Sequence, residues 1–438
     1  MKRPAATAKG RSGPPTRRQA IADAGLGAAA RLLAPALFAG CTAPEAARMA
    51  EVPIGLLHSQ TGPLAPGSTS LRDVELHFVE RLNDSGGVLG RPVVARSPDT
   101  RSRTALFPRR AEALLDGGAV ALFGCWSSAS RKAVLPLVEA RDTLLFYPMQ
   151  YEGNETSRNV VYGGQVPNQQ ILPAIDWLAS EAGGARRRMF LVGSDDVYPR
   201  TANLIVKKWL ADKGIEIVGE EYFPIEHEDF TACAERVLAA NADCMLNTVN
   251  GDGNVALFEA LASTGVDAAR VPMLSTSIAE DDLRAVSRGH ADGHYILSSY
   301  FQTVESPVNR DWMDGFRQSF GRDRLFGDTM EAGWCLMHLW KSAVEKAGSF
   351  AAAAVRQAFA DGLSFDGPGG PTRLDPATQH CTRYFRLGRI RADGLCDIVH
   401  ASEGPIDPDP YPQSVFPGWK CDWTKGGLER GPEVPIDG

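Results

Sequence analysis

From about residue 52 the chain alternates short apolar runs with stretches of helical spacing, and it does so twice in succession. The first round places strands at 52–57, 92–95, 120–124 and 143–147, with helices at 70–83, 105–115 and 130–139. The second round places helices at 169–182, 200–213, 230–240 and 253–264, with strands at 188–193, 216–222, 244–248 and 273–275. Strand–helix alternation of this kind builds a parallel, doubly wound α/β sheet. Two such rounds in 438 residues exceed one ordinary core, so the expected architecture is two parallel-sheet lobes with a cleft between them.

Composition narrows the class of partner. Apolar content of 44% and charged content of 23% are those of a water-soluble globular chain. The net charge of −7, with no basic block after the first residues, argues against nucleic acid. The first residues are different. Lys2, Arg3, Lys9, Arg11, Arg17 and Arg18 precede any acid, and an Ala/Leu-rich stretch from 20 to 40 follows. This pattern predicts an export leader over 1–41. Arg17-Arg18 resembles a twin-arginine signal, although Ala20 stands where a bulky apolar residue is usual. Leu37-Phe38-Ala39-Gly40-Cys41 resembles a lipoprotein processing box, which would make Cys41 the lipidated residue and a lipid anchor the one membrane attachment. The alternative is a disordered or mis-started N-terminus on a cytoplasmic protein. No CxxC pair occurs among the eight cysteines, so neither a metal nor a redox motif is expected, and no cofactor is called for. A disulfide among Cys381, Cys396 and Cys421 is expected in an oxidising compartment.

Polar turns follow four of the expected strands. Ligands bind such sheets at the carboxyl ends of the strands. After 120–124 come Ser127 and Ser128, whose hydroxyls lie at a helix start and could hold a carbonyl oxygen or serve as caps. After 143–147 come Tyr147, Pro148, Met149, Gln150 and Tyr151, an aromatic wall with an amide that matches an amide or urea edge. After 188–193 come Asp195, Asp196 and Tyr198. After 244–248 come Val249, Asn250, Gly251 and Asp252; Glu280 follows the next strand.

These turns, in order from about Val52 to Trp423, resemble the urea- and short-amide-binding branch of the type I periplasmic binding proteins. Tyr147-Pro-x-Gln150-Tyr151-Glu152-Gly153 is similar to the urea-binding members, and so is Asn250-Gly251-Asp252-Gly253-Asn254. The resemblance implies two doubly wound lobes with a hinge and a ligand between them. It implies ligand contacts from Ser127, Ser128, Tyr147, Met149, Gln150, Tyr151, Asp196, Tyr198, Val249, Asn250, Asp252 and Glu280. It implies a first lobe of 52–168 and 303–366, a second of 169–302 and 367–400, and a Pro/Gly-rich tail over 401–438. One departure matters: the branch usually has tyrosine where Asp196 stands. An ionised carboxylate there accepts hydrogen bonds and favours ligands rich in N–H.

No Gly-x-Ser-x-Gly elbow, Walker loop or His-Glu-x-x-His site occurs, so a binding module is expected rather than an enzyme. Two versions compete. One is the receptor of an ABC importer, with a membrane permease as partner. The other is an amide-sensing negative regulator of an RNA-binding antiterminator, whose tail Pro405-Ile406-Asp407-Pro408-Asp409-Pro410-Tyr411 resembles.

Overall fold

The computed structural model describes residues 50–211, 213–412 and 415. The leader, its Arg17-Arg18 pair, Cys41 and Cys421 lie outside the described residues.

The first sheet is all parallel, in the order β2-β1-β3-β4-β5. Its strands are β1 (Val52–Leu57), β2 (Val93–Arg96), β3 (Leu122–Gly124), β4 (Leu145–Tyr147) and β5 (Val160–Tyr162). Period-two alternation splits its residues between two cores. Ile54, Leu56, Phe123, Phe146 and Val161 join one core with α1 (Ala65–Asp84). Leu57, Leu122, Leu145, Val160 and Tyr162 join another beneath α2 (Leu106–Asp116) and α3 (Ser128–Ala140). Both faces are covered, which is why these strands read as continuous apolar runs.

Lobe 2 begins with α4 (Ile171–Ala179) and repeats the plan. β6 (Arg188–Ser194), α5 (Val197–Leu210), β7 (Glu216–Phe223), α6 (Thr231–Ala239), β8 (Cys244–Thr248), α7 (Gly253–Thr264), β9 (Met273–Ser275) and β10 (Tyr295–Ser298) follow in turn. Phe190, Val192, Met245 and Ile296 enter one core, and Met189, Leu191, Leu246 and Leu297 the other. The chain then returns to lobe 1 as α8 (Pro307–Phe320), α9 (Asp328–Ala347) and α10 (Ala352–Phe359), followed by a hairpin of β11 (Ser364–Gly367) and β12 (Gly370–Arg373). β13 (Arg386–Ile390) and β14 (Cys396–Ala401) finally add to the second sheet as antiparallel strands, giving β14-β13-β10-β9-β8-β6-β7.

Three crossings join the lobes. The first passes through a short 3-10 turn at Pro167–Gln169. The second falls at 300–301, where Tyr300 packs in the lobe 1 core and Phe301 in the lobe 2 core. The third comes later than the sequence suggests. Gly367-Pro368-Gly369-Gly370 turns the β11–β12 hairpin, and Leu374 and Cys381 still pack in the lobe 1 core. The chain reaches the lobe 2 core only at Phe385. Gly and Pro signal a turn, and that signal is the same for a hairpin and for a hinge.

Two further features bear on the sequence reading. Cys381 and Cys396 sit in the cores of different lobes and are free, so they do not pair with each other, while the pairings with Cys421 lie outside the described residues. The described part of the tail is not a loose end. It runs back over the hinge, where Ile406 bridges Arg383, the Asp407 carbonyl accepts from Asn168 at 2.9 Å, and Tyr411 meets Thr156 at 2.8 Å.

Candidate functional site between the lobes

β3 ends in two successive residues of left-handed backbone, Gly124 (φ +113°) and Cys125 (φ +65°). A β-carbon on Gly124 would lie 2.6 Å from the Leu57 carbonyl oxygen, so only glycine passes. The positive φ at Cys125 is strain held by the surrounding core. This turn delivers Trp126, Ser127 and Ser128 to the N-terminus of α3.

The two serines have different work. Ser127 caps α3: its Oγ accepts from the Ser130 N–H at 3.2 Å, and the Ser130 Oγ accepts in return from the Ser127 N–H at 3.1 Å. Ser128 points at the loop that follows β4, and its Oγ donates to Glu152 Oε2 at 2.6 Å. Glu152 is fully buried, as is Arg131, one turn along α3. Arg131 donates to Glu152 Oε1 at 3.1 Å and to both oxygens of Glu155, at 2.8 and 3.3 Å. Lys132 completes the cluster at 2.5 Å from Glu155 and 3.8 Å from Glu152.

Three tyrosines wall this cluster. The Arg131 guanidinium carbon lies 4.7 Å from the Tyr147 ring centre and 4.3 Å from that of Tyr151. The Tyr162 hydroxyl donates to Glu155 at 2.9 Å. Burial opposes all this charge, but Arg131 and Lys132 outweigh it and hold the Glu155 carboxyl far below the usual carboxylate range. His380, stacked on Tyr151 and Tyr162, is pushed down to about 3 by burial.

From lobe 2, α5 packs against α3. Asp196 caps α5, with Oδ1 accepting from the Val197 N–H at 2.8 Å, while its Oδ2 is buried without a protein partner. The Tyr147 hydroxyl is likewise buried and unpartnered. Burial, and then the charge of Glu152, raise the Asp196 carboxyl above its ordinary value. Burial raises the Tyr147 and Tyr198 hydroxyls, and the charge of Glu152 adds to it at both. Beside it, Gln150 crosses the cleft and donates to the Thr276 carbonyl at 3.0 Å and to Ser277 Oγ at 3.1 Å. A cavity of about 20 Å³ lies there, lined by Trp126, Met149, Gln150 and Ser277 among others. The Trp126 indole N–H is a third buried polar group without a partner. A larger cavity, about 380 Å³ between 283–289 and 390–394 of lobe 2, shares no lining residue with it.

The sequence-expected residues therefore divide. Ser128 bonds Glu152, the Glu152 charge reaches Tyr147, Asp196 and Tyr198, and Met149 and Gln150 line the adjoining cavity. Asp252 meets lobe 1 through its backbone N–H, which donates to the Pro63 carbonyl at 3.1 Å. Ser127 is spent as a cap. Tyr151 turns into its own lobe, bonded to the Glu155 carbonyl and to His380. Val249 packs in the lobe 2 core, and the Asn250 N–H donates to Ser194. Glu280 accepts the backbone N–H groups of Gln302 at 2.7 Å and Cys396 at 2.8 Å, and burial pushes its carboxyl up to about 7. Sequence reading quoted Glu152 within the Tyr147–Gly153 motif but gave it no contact, and it gave none to Arg131 or Glu155. The spacing of Arg131-Lys132 on α3 and Glu152-x-x-Glu155 in one loop was the signal available. Among the described residues no three His, Cys, Asp or Glu side chains converge as metal ligands, and no helix is long and apolar enough to cross a membrane.

The chain is similar in fold to solved solute-binding proteins. One, of an ABC transporter from R. palustris in complex with 4-hydroxybenzoate, superposes with a TM-score of 0.73 at 20% identity, covering 82% of this chain and 98% of that one. Another is the branched-chain amino acid transporter substrate binding protein from Streptococcus pneumoniae in complex with isoleucine. It gives a TM-score of 0.72 at 17% identity over 82% of this chain and all of that one. A curated relative, limonene hydroxylase from Geobacillus stearothermophilus, is 29% identical over 121 residues, and the match spans 22% of its length. The family model described as periplasmic binding protein domain matches residues 52–416, so the chain belongs to the periplasmic binding protein family.

Proposed function

We propose that the chain is the solute receptor of an ABC importer, and that it captures urea or a short-chain amide between its lobes. One observation carries the ligand class. The cluster holds two buried carboxylates, Glu152 and Glu155, with the half-buried Asp196 within reach of the Glu152 charge, against two cations, and both cations are already engaged by Glu152 and Glu155. Asp196 Oδ2 still lacks a donor. A ligand that brings N–H groups fits this balance, whereas one that brings a carboxylate meets, in this cluster, cations already engaged by Glu152 and Glu155. Ser128, Tyr147, Asp196 and Tyr198 are the proposed contacts, with Met149 and Gln150 beside them.

Urea and acetamide each have four non-hydrogen atoms. At a ceiling of about 1.5 kcal/mol per atom, about 6 kcal/mol is available, a dissociation constant in the tens of micromolar. Titration calorimetry with urea, acetamide, thiourea and guanidine tests the reading. Binding of at least one in that range is expected. Well-folded protein that gives heat with none of them would remove the assignment.

Export by the Arg17-Arg18 leader and a lipid anchor at Cys41 belong to the same proposal, because an importer's receptor works outside the cytoplasmic membrane. A reporter fused after the first fifty residues is expected to be exported. Retention in the cytoplasm would favour the amide-sensing regulator instead.

A further inference from the structure

We propose that Glu152 is a built-in carboxylate that fills an anion socket of the cleft and thereby sets its specificity against acidic ligands. The inference rests on the interlobe site described above and names what that site refuses. Its donors are those a carboxylate ligand would seek. Ser128 is the first residue of α3, at a helix N-terminus, and its hydroxyl lies 2.6 Å from Glu152 Oε2. The Arg131 guanidinium lies 3.1 Å from Oε1, and Lys132 Nζ lies 3.8 Å from the same atom. Arg131 also donates to both oxygens of Glu155 and, at 3.2 Å, to the Ser128 hydroxyl itself. With Glu152 in place, the Ser128 hydroxyl and the Arg131 Nη2 and Nε groups all donate to side-chain carboxylates of the chain itself. The two solved relatives hold 4-hydroxybenzoate and isoleucine, ligands that each carry a carboxylate of their own. Here a carboxylate from the loop after β4 already engages the Ser128 and Arg131 donors. A ligand carboxylate at the same place would add a buried negative charge beside Glu152, Glu155 and Asp196.

Removing the side chain exposes the socket. Glu152→Ala leaves room for a one- or two-carbon acid against Ser128 and Arg131. Glu152→Gln keeps the shape filled. Thermal melting is followed with sodium formate, sodium acetate or sodium chloride at matched ionic strength. Formate is expected to raise the Tm of the alanine variant saturably, by about 5 °C at concentrations well above its dissociation constant. The wild type and the glutamine variant are expected to move by less than about 1 °C beyond chloride at the same concentrations. A folded alanine variant that responds to formate no more than to chloride overturns the proposal, as does a wild type or glutamine variant that responds equally. If the alanine variant does not fold alone, it is refolded with formate or with chloride. Recovery with formate only supports the socket, and failure with both overturns it. Because this rescue is read without urea or an amide, its outcome stands apart from the calorimetry. A wild type that binds none of those amides would sink the functional reading and leave the socket untouched.

Discussion

Arg131 is a demanding position, because two buried carboxylates depend on it. Arg131→Met keeps the aliphatic stem and most of the volume but leaves Glu155 with Lys132 as its one cation, beside the Tyr162 hydroxyl, and Glu152 with Ser128 and a distant Lys132. Removing one partner of a buried ion pair costs about 3–5 kcal/mol, because the remaining charge stays buried. Unfolding entropy is about 2.1 cal/mol/K per residue. Roughly 360 folded residues therefore give about 0.76 kcal/mol/K, and a loss of about 4 kcal/mol lowers Tm by about 5 °C. The sign with pH follows from Glu155. Its folded carboxyl is held below the unfolded value, so its contribution is present above about pH 4.5 and is lost as pH falls toward the folded value. The gap between wild type and Arg131→Met is therefore largest near pH 7 and narrows below about pH 4. Calorimetric melting of both proteins at pH 7 and pH 4 measures it. A Tm loss below about 1 °C at pH 7, or a gap that widens in acid, would refute the argument that the pair is held by charge.

Two more outcomes follow from single residues. Asp196→Asn keeps a cap for α5 but removes the carboxylate, so urea should bind ten- to a hundredfold more weakly, the loss of a charge-assisted hydrogen bond of about 1.5–3 kcal/mol; unchanged urea affinity, or an Asp196→Tyr variant that gains acetamide at no loss of urea, would count against the carboxylate. Glu280 has a folded value of about 7, above its unfolded value, so the native state holds an extra proton between about pH 4.5 and 7 and stability should fall as pH rises through that window. Glu280→Gln should flatten that slope in denaturant melts, and an equally steep slope in the variant would remove the assignment.

Much of the fold was legible because both faces of each sheet are buried. Strands such as Cys244–Thr248 and Met273–Ser275 and the helix Gly253–Thr264 stand where apolar periodicity and glycine punctuation put them. The helix after the first crossing is shorter than expected, Ile171–Ala179, because Pro167–Gln169 form a separate 3-10 turn and Ser180 ends it. The late strands β11 to β14 were not legible. Their residues include exposed and charged ones such as Ser364, Asp366, Arg389 and Asp397, and they take strand form through pairing with distant partners.

The site shows the same division. The chain's own order of residues determined that polar turns follow β3, β4, β6 and β8, since a strand must break where its apolar run stops. Local chemistry also determined that Ser127 or Ser128 would cap α3. Which serine is the cap and which faces the cleft was decided by tertiary structure, because the choice depends on where Glu152 arrives from the next loop. The same holds for Gln150, whose amide meets Thr276 and Ser277 from 126 and 127 residues away. A sequence states which hydrogen-bonding groups exist. Only the packing of the two lobes decides which are satisfied within the chain and which, like Asp196 Oδ2 and the Tyr147 hydroxyl, are buried with no protein partner.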